Sequence, residues 1–185
     1  MYGLVNKAFE QMVRQQFGAD RWDAVRKIAG LEVELFLNMR HYPDEISYRI
    51  VDAMSQELEI PANELLRMVG RYWLQYTAAE GYGHLLSLSG TSVKEVLTGL
   101  NQLHTRIHLI YKHLEPPSFE CTDISDGGLT LHYFSKRPGL AWFVIGLIEG
   151  LGQRFHTPMQ IDQTQAREEG ANHDIFRITF LSTTL

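Results

Sequence analysis

Four side chains have the types and spacing to do chemistry together: His104, Tyr133, Ser135 and Arg137. His104 falls on a helical stripe with Leu97, Leu100, Ile107, Tyr111 and Leu114, at a place where a hydrophobe is expected. A neutral imidazole among Leu and Ile side chains suits a metal ion, heme iron in particular. The competing reading is a core histidine satisfied by a backbone carbonyl. His108, four residues on, could share a zinc ion with His104. However, Thr105 stands where a zinc-protease helix has Glu, and no Cys or His nearby completes a set.

Tyr133, Ser135 and Arg137 alternate in LHYFSKRPGL, residues 131–140. On a strand they share one face, with successive members about 6.6–6.8 Å apart. A phenol, a hydroxyl and a guanidinium in a row can bind two separated anionic groups, and the two propionates of heme are such a pair. A nucleotide is the rival ligand, yet no glycine-rich phosphate loop follows a strand here. The bland alternative is an exposed polar strand face. The single cysteine, Cys121, reads as a small strand residue, and a redox role would require a lowered thiol pKa. No pattern for a catalytic nucleophile or a carboxylate pair is present.

The elements that must position these groups follow from periodicity. Helices are expected over Tyr2–Phe17, Arg21–Ile28, Asp44–Leu58 and Pro61–Tyr76, then a long one over Ser92–Leu114 that Pro116 and Pro117 terminate. From Ser118 the period becomes two: SFECTDI and LTLHYFSKR flank Ser125-Asp126-Gly127-Gly128, a hairpin signal. Gly139–His156 returns to helix, and MQIDQTQAR and HDIFRITFL read as two further strands. The expected fold is α+β, with a helical N-terminal lobe and an antiparallel sheet of about four strands packed with helices.

The chain has 185 residues, 44% hydrophobic and 21% charged, with a net charge of −5. That is a composition for one globular domain and argues against broad binding of nucleic acid or acidic lipid. With one cysteine, no internal disulfide is possible. There is no signal-peptide pattern and no apolar run of the ~18 residues a membrane span needs, so a cytoplasmic location is expected.

With the helical His104, PPSF at 116–119 and Y-x-S-x-R at 133–137, the chain resembles the H-NOX family, the heme nitric oxide/oxygen binding domains related to the heme domain of soluble guanylate cyclase. MYGLVNKA at the N-terminus, GYG at 81–83, PPSFECTD at 116–123 and LHYFS at 131–135 look like cyclase and cyanobacterial members. The resemblance covers the whole chain. It implies one sensor domain over residues 1–185, with 1–60 as a distal lobe, 61–185 as a proximal lobe and heme b between them. It implies that His104 ligates the iron, that Tyr133, Ser135 and Arg137 bind the propionates, and that Pro117 packs against the porphyrin. Leu100 and Leu103 would line the proximal side; Val5, Phe9, Trp73, Phe143 and Leu147 the distal side.

Oxygen-holding members place a tyrosine where alignment on Arg137 and Gly146 puts Phe143. The resemblance therefore implies a non-enzymatic sensor of nitric oxide and carbon monoxide that excludes dioxygen. Release of His104 would signal to a separate histidine kinase or cyclic-nucleotide enzyme. The alternative is an oxygen or redox sensor that uses Trp73 as donor; a one-residue shift would instead make Trp142 distal.

Overall fold

A computed structural model describes residues 1–77, 80, 90–110 and 115–181. Four helices come first: α1 (Gly3–Gln16), α2 (Ala19–Ile28), α3 (Asp44–Leu58) and α4 (Ala62–Thr77). Their apolar stripes meet in one core built around Phe9, Met12, Trp22, Ile50, Met54 and Leu65. Between α2 and α3 the chain runs without regular structure back over the start of α1. There Gly3 and Leu4 donate to the carbonyls of Arg40 and Asn38.

The expected helix over Ser92–Leu114 is two helices, α5 (Val93–Thr98) and α6 (Leu100–Ile110), parted at Gly99. Glycine is a poor helix former, and Gly99 (φ −92°, ψ 0°) leaves helical geometry while keeping hydrogen bonds to the turn before it. Ser92 caps α5 by accepting the Glu95 N–H, and the Glu95 carboxylate takes the Thr91 N–H in return. Tyr111 and Leu114, the far end of the stripe, lie outside the described residues, as does GYG at 81–83.

Strands β1 (Ser118–Thr122), β2 (Gly128–Phe134), β3 (Met159–Gln165) and β4 (Asp174–Phe180) form one antiparallel sheet in the order β1-β2-β4-β3. Helix α7 (Ala141–Arg154) joins β2 to β3. Leu129, Leu131 and Tyr133 on β2, Phe176 and Ile178 on β4 and Ile148 on α7 form a second core with α5. Helices α4 and α7 approach at backbone distance: a Cβ on Gly70 would clash with the Phe143 carbonyl oxygen, and one on Gly146 with that of Arg67. Only glycine permits this approach. It sets Trp73 of α4 edge-on to Phe143 of α7, with ring centroids 5.9 Å apart.

Strand β2 ends at Phe134, short of the expected Arg137. The ladder to β1 closes at the Ser118–Phe134 pair and the ladder to β4 at the Tyr133–Asp174 pair, so no partner strand remains beyond them. Pro138 removes a further backbone donor. Ser135 and Arg137 therefore leave the sheet, and their sharing a side with Tyr133 is not a consequence of strand alternation. The helix expected from Gly139 starts later, at Ala141, after a turn at Pro138–Gly139.

Candidate functional site

A cavity of about 340 Å³ opens between the two cores, walled mainly by Leu, Ile, Val and Phe side chains of α1, α4, α5, α6 and α7. His104, Tyr133, Ser135 and Arg137 all line it. So do Pro117, Leu100, Leu103, Val5, Phe9, Trp73, Phe143 and Leu147, so all twelve residues singled out from sequence meet in one place. Trp142 is outside that lining and packs between the two cores.

His104 enters from the inner face of α6, whose outer face at Thr105, Arg106, His108 and Leu109 is exposed. His108 thus points away from His104's surroundings. Among the described residues no group of three or more His, Cys, Asp or Glu is placed to hold a metal ion. Burial pushes the His104 imidazole below its ordinary pKa, and the Pro117 carbonyl acts the other way. That carbonyl approaches the ring, yet no well-formed hydrogen bond reaches the buried Nδ1. The ring is neutral at physiological pH and keeps a lone pair for a ligand.

The Phe119 ring lies between the two kinds of chemistry, with its centroid 5.8 Å from that of His104 and 5.4 Å from that of Tyr133. Its peptide is held by Asn101 of α6: Asn101 Nδ2 donates to the Phe119 carbonyl at 2.7 Å, and the Phe119 N–H donates to Asn101 Oδ1 at 2.9 Å. Strand β1 is the sheet edge, and one side-chain amide takes the place of a partner strand there.

At the polar wall, burial raises the Tyr133 phenol above its ordinary pKa, against the Ser135 hydroxyl beside it, so it remains a donor. Ser135 Oγ accepts the Arg137 N–H at 3.1 Å. Arg137 Nε donates to Asp44 Oδ2 at 2.8 Å and Nη1 to the Glu115 carbonyl at 2.9 Å. Its Nη2 has no hydrogen bond among the described residues and remains open to a carboxylate. Asp44 also meets the Met1 ammonium. Burial opposes ionisation of Asp44, but hydrogen bonds from that ammonium and from Arg137 hold its carboxyl below the usual range.

Sequence patterning missed Phe119, Asp44, Glu115 and His41, which also lines the cavity and stacks edge-on against Tyr2. Asp44 reaches Arg137 across 93 positions of chain, a contact no local signal announces. Cys121 sits on β1, where burial pushes its thiol up to about 11.

The haem-NO-binding (HNOB) family model matches residues 2–163. The chain belongs to this family, the H-NOX proteins. It is 30% identical over 188 residues to soluble guanylate cyclase gcy-35 of Caenorhabditis elegans, covering 97% of this chain and 27% of that protein. It is 33% identical over 157 residues to gcy-32 of the same organism, covering 83% of this chain and 23% of that one. The chain thus spans about a quarter of the length of the cyclases it matches. Its fold superposes on the H-NOX protein of S. oneidensis in the Fe(II)NO state with TM-score 0.89 at 20% identity, covering 98% of this chain and 100% of that one. The unliganded Fe(II) protein of K. algicida gives TM-score 0.85 at 22% identity, covering 100% and 99%.

The cavity fits the group that the family name implies. A ligating histidine ordinarily gives its second ring N–H to a carbonyl; here the Pro117 carbonyl acts on the His104 ring, and Nδ1 is buried without a hydrogen-bond partner. The walls suit a flat apolar ring, and the three donors at one wall suit its carboxylates.

Proposed function

We propose that this H-NOX domain is a gas sensor that binds nitric oxide, and carbon monoxide, at a ferrous five-coordinate heme b held by His104, and that it leaves dioxygen unbound. One observation carries this reading: a neutral, apolar-walled imidazole and a phenol–hydroxyl–guanidinium group line the same cavity. When bound, heme would be held by His104 and would supply an iron able to take a diatomic gas.

Tyr133, Ser135 and Arg137 hold the carboxylates, Pro117, Leu100 and Leu103 pack on the proximal side, and Val5, Phe9, Trp73, Phe143 and Leu147 shape the distal side. Residues 1–60 act as the distal lobe and 61–185 as the proximal one. Phe143 has no hydrogen-bond donor, so a ligand whose outer atom gathers negative charge gains nothing from it. Nitric oxide and carbon monoxide depend little on such a donor. Nitric oxide binding would release His104 and with it α6, whose movement would pass to a separate histidine kinase or cyclic-nucleotide enzyme in the cytoplasm. The domain itself carries no catalysis, and its partners are neither nucleic acid nor a membrane.

Replacing His104 by Gly tests the ligand assignment. The purified variant should lose heme unless imidazole is added; retention of heme without imidazole would contradict it. A second reading, an oxygen or redox sensor using the Trp73 indole, has one observation behind it. Trp73 lines the cavity and makes no side-chain hydrogen bond among the described residues. A stable oxygenated spectrum in air, lost in Trp73→Phe, would favour it.

A further inference from the structure

Strand pairing ends at Phe134, so the ladder does not hold Ser135 and Arg137 at the cavity wall beside Tyr133. Arg137 is held by Asp44 and the Glu115 carbonyl, and the turn between β3 and β4 holds Ser135. Arg167 Nη1 donates to the Ser135 carbonyl at 2.6 Å. The backbone N–H of Arg167 donates to Asp174 Oδ1 at 3.0 Å, and Gln163 Nε2 donates to the same oxygen at 3.0 Å. Asp174 is only 6% exposed and pairs in register with Tyr133. A carboxylate buried in that way is costly unless hydrogen-bonded, and these two donors satisfy it. Gln163 reaches it where the β3–β4 register shifts between Gln163 and Gln165.

We propose that Arg167, anchored on Asp174, is a positioning residue for the carboxylate-binding group of Tyr133, Ser135 and Arg137. Arg167 does not line the cavity, so it acts through the Ser135 carbonyl. The contact is charge-assisted, hence stronger than a neutral hydrogen bond. It fixes where the chain leaves β2, and so the spacing between the Tyr133 phenol and the Arg137 guanidinium. With that spacing set before binding, no ordering cost falls on the ligand. The assignment rests on the heme reading above.

The test compares two probes: iron protoporphyrin IX, which has two carboxylates, and its dimethyl ester, which has none. Each is titrated into apoprotein of wild type, Arg167→Ala, Arg167→Lys and Arg167→Gln, with circular dichroism reporting the fold. Arg167→Ala should bind the diacid about threefold to tenfold more weakly and bind the diester as wild type does. Arg167→Lys, which keeps a cationic donor, should recover most of the loss. If Arg167→Ala fails to fold, Arg167→Gln, too short to reach the Ser135 carbonyl, carries the same expectation. Equal losses for both porphyrins would mean a merely structural role and overturn the proposal, as would no loss for either. Wild-type protein that binds neither porphyrin would overturn the heme reading and this assignment with it.

Discussion

In the proposed reading, ligand choice turns on Phe143, which lines the cavity. Phe143→Tyr places a hydroxyl in the distal half of the cavity, and one neutral hydrogen bond is worth about 0.5–1.5 kcal/mol net. Oxygen affinity should rise about twofold to tenfold, read from spectra of the reduced protein across oxygen pressures; an unchanged affinity would mean that position 143 does not face the bound gas. Cys121 is inert by the same kind of reasoning. With its thiol pushed up to about 11, little thiolate exists near neutrality, so iodoacetamide should label the native protein far more slowly than the unfolded chain. Asp44 sets an acid limit. Because its folded pKa is depressed, its contribution to stability is complete above the ordinary Asp value and fades as pH falls through the lower folded value. Denaturant unfolding followed below about pH 4 should show that loss, and Asp44→Asn should flatten it. His104 was legible because a helical stripe makes a polar intruder conspicuous. Asp44 and Glu115 were not, because their contacts with Arg137 are made by the fold, far from any periodic pattern.

At the scale of elements, the proposed release of His104 asks α6 to move. Among the described residues, the Asn101 amide on the Phe119 backbone ties α6 to the sheet. Asn101→Ala should accelerate amide hydrogen exchange in residues 100–110 while leaving β2 and β4 protected; uniform protection would show that the clamp does not hold the helix. The α4–α7 contact is the opposite, a rigid seam. Gly146→Ala drives a methyl group against the Arg67 carbonyl and should cost about 1–3 kcal/mol in denaturant unfolding. Sequence periodicity placed the helices and strands because burial on one face leaves a period of 3.6 or 2. It ran α5 and α6 together because a single glycine does not interrupt an apolar stripe. It also carried β2 to Arg137, because alternation continues in the residue types after the partner strands have stopped.

At the scale of the whole molecule, two cores close on one cavity, and each contributes part of its lining. The helical core brings Val5, Phe9 and Trp73, and the sheet core brings Leu97, Leu131 and Tyr133. A ligand bound between them couples the two, and that is what a sensor requires. The α+β architecture was legible from the change of period at Ser118. The cavity was not, because an interior space is set by packing distances that residue types do not encode. The most direct test of the account is the absorption spectrum of the reduced protein under nitrogen, air and nitric oxide. A five-coordinate ferrous heme, unchanged by air and converted by nitric oxide to a five-coordinate nitrosyl, is the predicted result. A colourless protein after expression with ample heme, or a stable oxygenated spectrum in air, would contradict it.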